Sequence, residues 1–126
     1  MQPTIHFAVS AVGGGAVWAV TGEPLSLPVA VASGVAIDVD FFLYRFPIAI
    51  KLLHGWEWLA ALMAVGLAAG FPWWVAAAAA GYGLHIAGDQ MYNQRKWWWY
   101  FLTYRTWKRY RCRAMRRLAH GTMESG

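Results

Sequence analysis

The chain's apolar residues come in four long runs, at roughly residues 4–21, 25–46, 55–70 and 72–90. Thr21-Gly22-Glu23-Pro24 breaks the first run from the second, and Gly70-Phe71-Pro72 breaks the third from the fourth. Each run comes close to the ~17–25 residues that carry a helix across a bilayer. Four of them in 126 residues leave little chain for a water-facing surface, and only 13% of residues are charged, about half the usual ~25% of a soluble protein. The first run has no basic segment ahead of it and no hydrophilic domain after it, so it reads as a true span rather than a signal peptide. The expectation is an all-α integral membrane four-helix bundle over residues 1–94, followed by a basic, aromatic tail over 95–126.

Basic residues fix the orientation. All eleven fall in two places, Arg45 and Lys51 between the second and third runs, and nine more from Arg95 to Arg117. The connections around Glu23 and Pro72 contain none. The positive-inside rule then puts both termini and the middle loop in the cytoplasm of a multi-pass inner-membrane protein.

Few polar side chains remain, and the topology sorts them. His6 opens the first run, Asp38 and Asp40 lie toward the end of the second, His54 and Glu57 start the third, and His85 and Asp89 close the fourth. In an alternating path of four helices these positions share one side of the membrane, the cytoplasmic one. Ionisable groups at such depth are costly without partners, and mark functional sites. His85 and Asp89 are an i, i+4 pair and His54 and Glu57 an i, i+3 pair, so each pair can aim at one centre. Facing helices that supply carboxylates and imidazoles build metal sites in bundle proteins. Nitrogen and oxygen donors without thiolate suit zinc or manganese, with one or two divalent ions as cofactor. The expected ligands are His6, Asp38, Asp40, His54, Glu57, His85 and Asp89. Asp38 and Asp40, two residues apart, would point to nearly opposite sides of a regular helix, so either the helix unwinds there or only one faces the centre. Each group also has a plain role: an interfacial histidine at 6, a helix-ending aspartate at 38 or 40, a dipole-favoured Glu57, a structural His85–Asp89 pair. Their convergence on one layer favours the metal.

The order His6, Asp38-x-Asp40, His54 and Gly81-Tyr82-Gly83-Leu84-His85-x-x-x-Asp89 resembles a family of bacterial inner-membrane, metal-dependent hydrolases associated with LexA-regulated genes. The similarity covers residues 4 to 93 and is strongest in the last motif. Phe41 stands where members often carry a histidine, and His54-Gly55-Trp56-Glu57 is shorter than their H-R-G-x-T-H motif. The resemblance implies hydrolase chemistry, with Glu57 replacing the missing histidine as ligand or general base and Asp40 as a second catalytic carboxylate.

An opening at headgroup level would meet membrane lipids, so the expected substrate is an amphiphile bearing a phosphoester, such as a phospholipid. Arg45, Lys51, Arg95 and Asn93 are its candidate contacts. The tail places Tyr100, Tyr104, Trp107, Ala114 and Leu118 on one side of a helical wheel and Arg105, Arg109, Arg113 and Arg116 on the other, the pattern of an interfacial helix among anionic headgroups. Basic and aromatic residues interleaved in this way also suit nucleic acid, but a membrane-tethered helix needs no second polyanion. Cys112 is the only cysteine, which excludes an internal disulfide. Two rivals use the same polar layer. A metal- or proton-coupled transporter needs a path to the far side, which offers only Ser10, Thr21, Ser26 and Ser33. A structural or partner protein would use the layer to hold helices together. Glycines 13, 14, 15, 66 and 70 permit close helix packing within or between chains.

Overall fold

The computed structural model describes residues 3–40, 52–92 and 100–107. Five helices occur among them, and no strand: α1 (Pro3–Thr21), α2 (Ser26–Ala36), α3 (Trp56–Ala68), α4 (Trp73–Tyr92) and the short α5 (Leu102–Trp107). The breakers do what their chemistry requires. Gly22 and Gly70 adopt φ of 74° and 72°, which glycine reaches without a steric penalty. Phe71 follows at φ 54°, tied down by its N–H donating to Gly66 O at 2.7 Å.

Helices α1, α2 and α4 pack on one another, and α3 packs on α4. Small residues let the first three approach. A Cβ on Gly81 would overlap the Ala30 carbonyl, and one on Gly34 would overlap the Ser10 hydroxyl. The Ser10 hydroxyl donates across this contact to Gly81 O at 3.4 Å. The Ser33 hydroxyl shares its proton between Ala30 O at 2.9 Å and Ala78 O at 3.0 Å. Gly13 and Gly14 face α4 and α2 of the same chain, whereas Gly15 faces open space.

Among the described residues the interior mixes polar with apolar side chains, while many large apolar side chains face outward. His6, Ser10, Ser26, Asp40, His54, His85, Asp89, Gln90 and Arg105 are buried, whereas Val12, Val20, Leu67, Met91 and Trp107 are each more than 70% exposed. Only a small apolar cluster of Ile37, Tyr82, Ile86 and Tyr100 backs the polar groups, with Leu53, Trp56, Leu59 and Leu62 packed against it.

Several expected boundaries shift. Among the described residues only Thr4–Thr21 is long and apolar enough to cross a membrane by length and composition. The second run yields a helix of 11 residues and then a 3₁₀ turn over residues 37–40; its remainder, from residue 41, lies outside the described residues. The third yields 13 residues, about 20 Å at ~1.5 Å per residue. Of the tail, residues 100–107 alone are described, and there the wheel is corrected. Arg105 is 3% exposed and turns inward, because it finds a backbone carbonyl acceptor at His54. Arg45, Lys51, Asn93, Arg95, Arg109 and Cys112 lie outside the described residues.

Candidate metal centre

Four segments deliver the site to one end of the bundle. Helix α1 brings His6 from its first turn, α4 brings His85 and Asp89 from successive turns of one face, and the 3₁₀ turn after α2 brings Asp38 and Asp40. The fourth segment is the non-helical stretch before α3, which carries His54. The 3₁₀ turn resolves the geometry of the two aspartates. At three residues per turn, positions two apart diverge by about 120° rather than the about 160° of an α-helix. Both carboxylates therefore reach His54, one on each side of its ring.

Asp40 Oδ2 lies 3.2 Å from His54 Nδ1 and also accepts the Leu53 N–H at 2.6 Å. A proton on His54 Nδ1 would bond to that carboxylate, and Nε2 lies on the opposite side of the ring. There it faces Asp89 Oδ2 at 3.7 Å and Asp38 Oδ1 at 4.0 Å. His85 Nε2 faces the same two oxygens, at 3.9 Å from Asp89 Oδ2 and 3.6 Å from Asp38 Oδ1. His6 supports from behind. Its Nε2 is 3.2 Å from Asp89 Oδ1, and its ring stacks on that of His85 with centroids 3.8 Å apart at 17°. His6 Nδ1 is buried without a hydrogen-bond partner.

These donors fit a metal ion. Asp38 Oδ1, His54 Nε2, His85 Nε2 and Asp89 Oδ2 have cross-distances of 3.6–4.0 Å, too long for hydrogen bonds between them. Ligands at ~2.0–2.2 Å around a tetrahedral ion stand roughly 3.3–3.6 Å apart, and the donor atoms of His54, His85 and Asp89, all within 4.8 Å of one another, come near that spacing, with Asp38 outside their group. Two overlapping groups have this capacity, His54 with His85 and Asp89, and His6 with Asp38 and His85. Charge argues the same way. Asp40 and Asp89 are buried, and Asp38, its side chain 36% exposed, is the open side of the cluster. With neutral imidazoles the three carboxylates carry three negative charges, which such burial tolerates only against compensating positive charge.

The remaining candidates sit elsewhere. Glu57 belongs to neither group; its Oε1 accepts from Thr103 N and Thr103 Oγ1, each at 3.0 Å, tying α3 to α5. Asp40 backs His54 instead of joining either group. Tyr82, seen in the sequence only as part of a motif, and Arg105, seen only as a headgroup contact, are contributors not counted among the site residues. The Tyr82 hydroxyl lies 2.5 Å from Leu53 O and 2.8 Å from Gly55 O and accepts the Gly55 N–H at 3.3 Å. Arg105 Nη2 donates to His54 O. Tyr82 carried a readable signal, being one turn before His85 on α4, whereas Arg105 is hidden in a run of similar residues. No family model, curated protein or solved structure matches this chain.

Proposed function

We propose that this chain is an integral-membrane, metal-dependent hydrolase that holds one divalent ion and acts on a phosphoester of a lipid or similar amphiphile. The observation that carries the reading is the convergence of His54 Nε2 and His85 Nε2 on two carboxylate oxygens at 3.6–4.0 Å. Two carboxylates gathered on two imidazoles away from bulk water form a set that a cation among them would stabilise. One ion is favoured over two because both donor groups draw on His85, whose Nε2 can bind a single ion. Zinc suits the mixed nitrogen and oxygen donors.

Bound there, the ion would supply Lewis acidity to a phosphoester oxygen. The chain's own residues do the rest. Asp40 fixes the tautomer of His54, His6 orients Asp89, and Asp38, the most exposed member, marks the side from which a substrate approaches. The apolar exterior supports membrane immersion, since a bilayer is the solvent that such a surface matches. A bilayer also presents an amphiphile's headgroup at the end of a bundle. The inner-membrane, termini-inside placement rests on the distribution of lysine and arginine.

Elemental analysis of detergent-purified protein tests the reading. One equivalent of zinc or manganese is expected, lost in Asp89→Ala while the helical spectrum is kept, together with loss of phosphoester turnover on lipid micelles. Wild-type protein that takes up no metal on reconstitution overturns it. A structural rival is favoured by the His6–Asp89 and His54–Asp40 contacts, both 3.2 Å, which hold four segments together without an ion. In that case Asp89→Ala unfolds the bundle rather than emptying a site.

A further inference from the structure

His54 is the one member of the cluster carried on non-helical backbone: His6, His85 and Asp89 ride on α-helices and Asp38 and Asp40 on the 3₁₀ turn. A site built on a loop is precise only where something else fixes the loop. The polar backbone of residues 53–55 is bonded from three directions. Asp40 takes the Leu53 N–H from the α2 side, and the Tyr82 hydroxyl, from α4, serves Leu53 O, Gly55 O and Gly55 N–H. Arg105, from α5, donates to His54 O. Gly55 leaves room for this: a Cβ there would stand 2.9 Å from Glu57 Oε2 and 3.5 Å from Arg105 Nη2. Arg105 is the only lysine or arginine among the described residues, and it is buried. Taking a guanidinium out of water is expensive, and many residues could anchor a six-residue helix more cheaply.

Resting on the metal reading above, we propose that Arg105 and Tyr82 are positioning residues for His54. Together they clamp its backbone so that the imidazole stays between Asp40 and the ion, and they make the C-terminal α5 part of the metal site. Glu57 belongs to the same clamp, because its bonds to Thr103 hold α5 in register with the start of α3.

Two readouts test this, one with metal and one without. Cobalt(II), titrated into full-length protein in detergent, reports affinity through its visible d–d bands. In metal-free protein labelled with ¹⁵N at histidine, the His54 Nδ1 proton bonded to Asp40 reports the position of the ring. Arg105→Met and Tyr82→Phe should each weaken cobalt binding by about 10- to 100-fold, the usual effect of losing an outer support, and should shift or broaden the His54 signal. Arg105→Lys, which retains a donor, should recover part of both. Thr106→Ala, on the exposed side of α5, should leave both unchanged. Variants with wild-type cobalt affinity and an unmoved His54 signal overturn the proposal, as does a loss of helical signal in both, which makes the clamp simple scaffolding. A wild type that binds no cobalt, with a His54 signal that still moves in Arg105→Met, removes the metal reading and leaves the positioning role standing.

Discussion

Asp40 shows how a single carboxylate can serve a metal site without touching the metal. Both of its contacts run through Oδ2, to Leu53 N–H and His54 Nδ1, so it holds a ligand's backbone and its ring together. Asp40→Asn keeps the shape but removes the charge, and the amide can present only one acceptor oxygen. Cobalt affinity should fall by about 10- to 100-fold with one equivalent still bound, as read by titration. Asp89→Ala should abolish stoichiometric binding, because it deletes a ligand oxygen and strands His6. At this scale the sequence was informative about residue types and less so about roles. The positions of His6, Asp38, His54, His85 and Asp89 were legible because such groups are scarce in an apolar chain and helix alternation puts them at one end. Glu57 and Asp40 were placed among the ligands because they share that layer. Spacing does not say which of two nearby acceptors a carboxylate prefers, and Glu57 is drawn away by Thr103.

At the scale of elements, tight contact between α1, α2 and α4 fixes where those groups meet. Gly81 lies against the Ala30 backbone, and a methyl group there would collide with a carbonyl that cannot swing aside. Gly81→Ala should therefore destabilise the bundle by about 1–3 kcal/mol or more, the usual cost of overpacking, measured as a fall in thermal midpoint in detergent. Gly15→Ala, which meets nothing within 4 Å, should be neutral or stabilising by up to about 1 kcal/mol from helix propensity. Equal effects at the two sites would mean that the α2–α4 contact does not govern stability. The breakers at Gly22 and Gly70 were legible, because glycine before proline or an aromatic at the end of an apolar run has few other uses. The early end of α2 was not. The run from 25 to 46 is apolar apart from Ser26, Ser33, Asp38, Asp40 and Arg45, and the turn at 37–40 forms where Asp40 bonds to Leu53 and His54, residues distant in sequence.

For the whole molecule the decisive question is which solvent the outside faces, and the exposed apolar side chains make it testable with one substitution. Val12 lies at the middle of α1 and is 71% exposed. On a water-facing surface Val12→Arg would change stability by no more than about 0.5 kcal/mol. At the centre of a bilayer the same change costs about 2.5–3.5 kcal/mol on insertion scales, because a charge there is taken out of water. The expected outcome is a sharp loss of membrane-integrated protein, read by alkaline extraction of membranes. Thr21→Arg, at the exposed end of the same helix, should be tolerated, since a long basic side chain there reaches the interface. Met63→Arg on α3, 42% exposed, extends the test to a helix whose 13 residues fall short of a full span. If α3 is immersed, it must share the penalty of Val12→Arg, and a bilayer thinned around it would soften that penalty without removing it. Tolerance at both positions would place the apolar exterior against protein or water instead of lipid, and the lipid substrate would fall with it, while the metal centre would stand on its own geometry.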